Sequence, residues 1–181
     1  PSTCIVPVPG SCTRYYIIYF ADFLGHCSPH DHHFDLRYST FDVSTNALVG
    51  TVDDYPGSPG SNTFFYFEFG DIAVSQLRGD NTRVLYASGG LAGLPGGVIR
   101  KYIITSSGIE PDATAPLLYQ GPTQQWTMQT ADLDISPDGS KLAWANLTQG
   151  PEDDVFVISL DGNGDFGSIA SYQIDATFQF T

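Results

Sequence analysis

The chain has 181 residues, 41% of them hydrophobic and 13% aromatic, which is enough for one domain with a real core. Seven Lys and Arg against twenty Asp and Glu leave a formal charge of −13, so a phosphate backbone would be repelled and no nucleic-acid partner is expected. No apolar run approaches the roughly 18 residues that a membrane-spanning helix needs, and no basic-plus-apolar leader is present.

In chain order, the first expected strand covers 4–8, and Pro7 and Pro9 place it at a free sheet edge, because proline cannot donate to a ladder. A second strand opens at Thr13-Arg14-Tyr15-Tyr16-Ile17, a third covers 36–43 and runs into the polar turn Ser44-Thr45-Asn46, and a fourth covers 48–52. The next four follow the same order: an inner strand at 71–76, a second opening at Thr82-Arg83-Val84-Leu85-Tyr86, a third at 98–105 ending in Ser106-Ser107-Gly108, and a fourth at 115–119. Residues 56–60 and 91–97, rich in Gly and Pro, read as inserted loops, and the apolar run 63–69 reads as a core strand between sheets, with an exposed aromatic binding patch as the alternative.

The clearest stretch comes last. An inner strand at 131–135 and a second at 141–145 flank Ser136-Pro137-Asp138-Gly139-Ser140, where Pro137 presets φ, Asp138 can bond its own backbone and Gly139 supplies the positive φ of a hairpin turn. A third strand at 153–160 ends in Asp161-Gly162-Asn163-Gly164, and a fourth covers 169–174. The chain starts at Pro1 and ends in an alternating segment, 176–181, and reads as a piece of a longer protein.

The reading is therefore all-β: three four-stranded antiparallel sheets over 1–55, 69–121 and 129–176. The hydroxyl–cation–apolar openings at 13, 82 and 140 recur at offsets of 69 and 58 residues. Ile135-Ser136-Pro137-Asp138-Gly139-Ser140-Lys141-Leu142-Ala143-Trp144, followed by the strand ending at Asp161-Gly162, resembles a WD40-like blade of a β-propeller. The offsets exceed the usual 40 to 50 residues per blade, so loops are inserted. Three blades do not close a ring, and the resemblance implies part of a larger propeller. Ile5-Val6-Pro7-Val8-Pro9-Gly10-Ser11, Tyr15-Tyr16-Ile17-Ile18 and Leu36-Arg37-Tyr38-Ser39-Thr40-Phe41-Asp42 are similar to the opening of large secreted surface proteins of Bacteroidota. Those proteins carry a sorting domain of the gliding-motility-associated, type IX secretion kind, and the resemblance implies a secreted or cell-surface location.

Residues 26–35 hold all four histidines, His26, His30, His32 and His33, with Cys27, Asp31 and Asp35. Imidazole, thiolate and carboxylate are ligands for zinc or copper, though the spacing is that of no standard motif and equally suits a solvated loop. Asp161, Asn163 and Asp165 place oxygens at alternate positions as a calcium loop begins, but Phe166 stands where Gly is needed, and a plain turn is the simpler reading. Asp132 and Asp134 alternate on an inner strand, where paired acids can serve glycoside cleavage, but acids there more often bond backbone, which is the simpler reading. No nucleophile elbow, zinc-protease helix motif or phosphate loop occurs.

Three cysteines permit at most one internal bridge. If strands 4–8 and 13–21 form a hairpin, Cys4 lies opposite about residue 17 while Cys12 sits at the turn end, some 25 Å from the root of the loop holding Cys27 at about 3.3 Å per residue. Cys4 and Cys27 are then the expected pair. The functional expectation is a non-catalytic segment binding a protein or glycan, or further blades of its own protein. A metal module on 26–35 and a fragment of a secreted hydrolase or lyase are the alternatives.

Overall fold

The computed structural model describes residues 3–22, 34–54, 65–66, 71–91, 94–114, 117–120, 129–147 and 154–173. Among them there is no helix; all regular structure is antiparallel strand. The first sheet holds β1 (Thr3–Pro7), β2 (Arg14–Asp22), β3 (Phe34–Asp42) and β4 (Ala47–Asp54) in that order. The second is built on β7 (Arg83–Leu91) and β8 (Leu94–Ile104), once β5 (Phe65–Tyr66) and β6 (Ile72–Val74) have been laid down. β5 and β6 both pair with the same edge of β7, and β9 (Ile109–Pro111) and β10 (Leu117–Gln120) share the far edge of β8, so six strands occupy four positions. The third sheet is β11 (Gln129–Ile135), β12 (Lys141–Leu147), β13 (Asp154–Leu160) and β14 (Phe166–Gln173).

Local chemistry accounts for these strands. Pro7 pairs opposite Tyr15 on the edge strand β1, where its missing N–H costs no ladder bond. In the β11–β12 hairpin Gly139 takes φ 71° and donates its N–H to Ser136 O at 2.8 Å, while Ser136 N–H bonds Lys141 O at 2.9 Å. Three expectations need correction. Within the expected inserted loop 91–97, Leu91 and 94–97 are strand: β7 and β8 pair through Gly90↔Gly97 and Leu91↔Leu94, which satisfies backbone groups that a loop would leave to water. The fourth position of the second sheet begins with β9, three residues ending in Pro111 and too short to signal itself. The second sheet is also shifted by one residue from the alignment of its opening. Equivalent bonds, Val8 N to Arg14 O, Ser75 N to Val84 O and Ser136 N to Lys141 O, match Arg14 with Val84 and Lys141, not with Arg83. Of the run 63–69, only Phe65 and Tyr66 lie within the described residues.

The sheets stack in chain order, with the inner strands β1, β6 and β11 adjoining. Val84, Leu85, Tyr86, Ala87 and Ser88 of β7 are all 0–1% exposed, so the middle sheet is covered on both faces. One core joins Tyr16, Ile18 and Tyr38 of the first sheet to Leu85, Ala87 and Tyr102 of the second. The other joins Val84, Tyr86 and Ile99 to Leu142, Trp144 and Ile158 of the third. Trp144 stacks on Phe156 with ring centroids 5.2 Å apart. In the corrected register Tyr16, Tyr86 and Ala143 are equivalent, as are Tyr15, Leu85 and Leu142. Each sheet therefore lays the same face on the opposite face of the next, head to tail.

A matching hydrogen bond accompanies each contact. Tyr16 donates its hydroxyl to Thr105 O (3.0 Å) and Tyr86 donates to Gly164 O (2.9 Å), in both cases a turn between the third and fourth positions of the following sheet. Gly164 sits at φ 74°, and a Cβ there would lie 2.5 Å from Tyr86 Oη and 3.2 Å from Val84 Cγ2. Gly164→Ala is expected to cost about 2 kcal/mol or more from backbone conformation and crowding. Tyr86→Phe is expected to cost about 1–2 kcal/mol for the lost buried bond. The double variant should cost less than the sum, because Phe removes the atom that the new methyl meets; strict additivity in urea unfolding would refute the contact.

Candidate functional site

Three turns gather at one end of the second and third sheets: 76–82 between β6 and β7, 136–140 between β11 and β12, and 161–165 between β13 and β14. They surround a cleft of about 600 Å³. Val84, Tyr86, Ile135 and Leu160 form its apolar floor, and Arg78, Asp80, Asp138 and Asp161 stand around it. Sequence explains the concentration of carboxylates, since a tight turn favours Asp followed two residues later by a hydroxyl. Asp80 Oδ1 accepts from Thr82 N (3.1 Å) and Oγ1 (2.7 Å), and Asp138 Oδ1 accepts from Ser136 Oγ (2.6 Å) and Ser140 N (3.0 Å). Arg78 crosses the cleft wall, donating to Gly162 O (2.8 Å) and Asn163 O (3.4 Å).

The electrostatics follow from these bonds. The Ser136 hydroxyl, with Ser140, holds the Asp138 carboxyl down at about 2. The Thr82 hydroxyl lowers Asp80, and the Asp165 and Asn163 amides lower Asp161. All three are ionised acceptors at neutral pH, suited to receiving hydrogen bonds or cationic groups and unsuited to delivering a proton. Burial pushes the Tyr86 phenol up, so it stays a donor to Gly164 O.

Behind the cleft lies a buried cation. Lys101 of β8 is 2% exposed, and its Nζ bonds Asp112 Oδ2 at 2.8 Å and Asp165 Oδ1 at 2.6 Å, which ties the second sheet to the third. Asp112 Oδ1 in turn accepts from Thr114 N and Oγ1, both at 2.7 Å.

Of the residues singled out in the sequence, His26, Cys27, His30, His32 and His33 lie outside the described residues. Asp161, Asn163 and Asp165 share one turn, but Asp161 Oδ1 takes the N–H groups of Asn163 and Asp165 (2.8 and 2.9 Å), and Asp165 reaches away to Lys101. Asp134 is exposed and accepts from Ile135 N at 2.8 Å. Cys4 lies opposite Ile18, one residue from the expected position, and is not bridged to Cys12; burial raises its thiol. Sequence reasoning passed over Lys101, Tyr16 and Tyr86. A lysine inside the apolar run Val98-Ile99-Arg100-Lys101-Tyr102-Ile103-Ile104 was the available signal for the first. No family model matches the sequence, and neither a curated protein nor a solved structure matches it.

Lys101→Met leaves two carboxylates facing one another and is expected to cost about 3 kcal/mol in denaturant unfolding. Adding Asp112→Asn should recover part of that, and equal stability of single and double variants would refute the triad. For Asp138 the folded pKa lies below the unfolded value of about 3.9. Its contribution is therefore full above that value and disappears as pH falls through about 2. The difference in melting temperature between the wild type and Asp138→Ala should be constant above pH 5 and shrink progressively as pH falls from about 4 through about 2; a difference that grows on acidification would contradict this.

Proposed function

We propose that the three sheets are consecutive blades of a larger β-propeller in a secreted or cell-surface protein, which acts by binding a protein or glycan at its turn end rather than by catalysis. The observation that carries this reading is the repetition of one head-to-tail contact, with Tyr16 reaching the turn at Thr105 and Tyr86 the turn at Gly164. Radial repetition of four-stranded sheets is the architecture in which every sheet meets its neighbour in that way. The adjoining inner strands support it, and so does the bond from Leu133 N to Asp71 Oδ2 (2.7 Å) between two of them.

For binding, the support is the cleft. It combines an apolar floor with ionised carboxylates held rigid by their own turns, which matches the surface that sugar hydroxyls or a basic peptide side chain would meet. The secreted setting rests on the acidic composition and on the resemblance of the first 42 residues to surface proteins. The test is a screen of glycans and peptides followed by calorimetry on the hits. Binding that weakens about tenfold in the Asp80→Asn, Asp138→Asn double variant, with the ligand recovered unchanged by mass spectrometry, is the expected result. A ligand recovered cleaved would overturn the non-catalytic reading, and unchanged affinity would move the site off the cleft.

A further inference from the structure

We infer that the buried Lys101 is a modification site: its Nζ condenses with the side-chain carboxyl of Asp112 to form an amide, Asp165 serving as the base, and the bond staples β9 to β8. An ion is costly to hold where Lys101 lies. The residue is 2% exposed, pairs across the strands with the buried Tyr86, and shares its side of β8 with Ile99 and Ile103 of the second core. Two carboxylates meet its Nζ, Asp165 Oδ1 at 2.6 Å and Asp112 Oδ2 at 2.8 Å. Withdrawing ions from water carries a penalty that their attraction often fails to repay, whereas an amide formed from ammonium and carboxylate has no charge.

The surroundings choose between the two acids. The Asp112 side chain is 11% exposed and that of Asp165 is 36% exposed, and a condensation proceeds where water is kept away. Strand pairing continues past Pro111 through the bond from Asp112 N to Lys101 O (3.0 Å), so Lys101 and Asp112 stand opposite each other on neighbouring strands. Asp112 Oδ1 accepts from Thr114 N and Oγ1, both at 2.7 Å, while Oδ2 faces Nζ. Thr114 thereby supplies two donors to the oxygen on which negative charge develops when the carboxyl carbon is attacked. Asp165 is fixed from its backbone: its N–H bonds Asp161 Oδ1 (2.9 Å), its carbonyl accepts from Asp161 N (3.0 Å), and Tyr86 holds the adjoining Gly164 O (2.9 Å). Groups held in this way act on one another at effective concentrations of about 10⁵–10⁸ M, which drives a step that free amines and acids do not take in water.

The reaction balances without a co-reactant. Asp165 takes one proton from the ammonium and passes it to Asp112 Oδ2. The lone pair left on Nζ attacks Cγ, and the π-electrons of the Cγ–Oδ1 bond move onto Oδ1. A second proton follows from Nζ to Oδ2, the Cγ–Oδ2 bond breaks with its electron pair, and water departs as Oδ1 re-forms the carbonyl. Nitrogen goes from three protons to one, the two it loses leave with Oδ2, one positive and one negative charge cancel, and Asp165 ends as it began. The product finds its partners already in place: the carbonyl oxygen keeps the two Thr114 donors, and the amide N–H faces Asp165 Oδ1. It secures β9, a strand of only three residues at the outer edge of its sheet.

The intact mass of the purified wild-type chain tests this directly, and it should fall below the mass calculated from the sequence by one water. Chymotrypsin cuts after Tyr102, between the two residues, so the fragment carrying Lys101 should stay joined to the one carrying Asp112 and sequence as a branched peptide. A wild-type chain of full calculated mass overturns the proposal. So does a lost water that maps elsewhere, as to Asp138-Gly139 or Asp161-Gly162, where an aspartyl residue can cyclise onto the next amide. Lys101→Arg and Asp112→Ala should each show full calculated mass, and a water missing from either overturns the assignment. Asp165→Asn, with circular dichroism matching the wild type, should condense about 100-fold more slowly when freshly synthesised chain is sampled by mass over time. Asp165→Glu, which restores a carboxylate, should recover part of that rate. An Asp165→Asn chain that condenses as fast as the wild type overturns the role given to Asp165.

Discussion

Side chains of a β-strand point alternately to two faces, so five consecutive buried residues require cover on both sides. Val84 to Ser88 of β7 meet that condition, and the arrangement of the other sheets follows from it. The first sheet must present its apolar face to Leu85 and Ala87, and the third must present its own to Val84 and Tyr86. The flanking second strands then alternate, with Tyr16, Ile18 and Phe20 buried while Tyr15, Ile17 and Tyr19 are only half-buried. Small residues in the middle strand serve the same constraint. Ala87 lets the first sheet approach, and the buried Ser88 hydroxyl accepts the N–H of Asp71 at 3.0 Å beside the inner edge.

Apolar contact alone would allow the sheets to slide, because burial is non-directional. The polar groups that cross each interface remove that freedom. Tyr16 and Tyr86 fix one turn of the following sheet, Asp71 Oδ2 fixes the inner strand through Leu133 N, and Lys101 fixes the outer part through Asp165. The Tyr86 bond is buried and the other three are part-buried, and for a buried group a missing partner costs more than a formed one gains. Register is therefore set by a few atoms, and the cores supply the bulk of the cohesion.

That division explains what the sequence disclosed. Strand existence was legible wherever a local signal marks an end: Pro7 at an edge, Pro137-Asp138-Gly139 in a hairpin, and the polar turns at 44–46, 106–108 and 161–164. The all-β class and the repeat of inner, second, third and fourth strands followed from those marks. The offset of one residue in the second sheet did not, because Thr82-Arg83 imitates Thr13-Arg14 locally while backbone pairing with the inner strand decides the register. Nor did Gly97 read as strand, since its pairing with Gly90 depends on a partner strand and not on propensity. The cleft was hidden for a related reason. Its carboxylates were visible one turn at a time, but Asp80 comes from the second sheet and Asp138 and Asp161 from the third, and only stacking brings them to one opening.

The location of that opening has a physical logic. Beneath the mouth the sheets are held by buried contacts and by the buried Lys101, which reaches Asp165 of the 161–165 turn. At the turn end they are held across the mouth by Arg78, whose bonds to Gly162 and Asn163 carbonyls are exposed and compete with water. Free energy of opening is lowest where bonds are solvent-exposed and apolar contacts few, and binding surfaces that adjust to a ligand are drawn from such regions. A ligand resting on the walls of both sheets there would be linked to their association, since anything that binds only the docked arrangement stabilises it by mass action. The acidic turns and the paired cores are in that sense one system: the cores bring the turns together, and a ligand held by the turns would reinforce the cores.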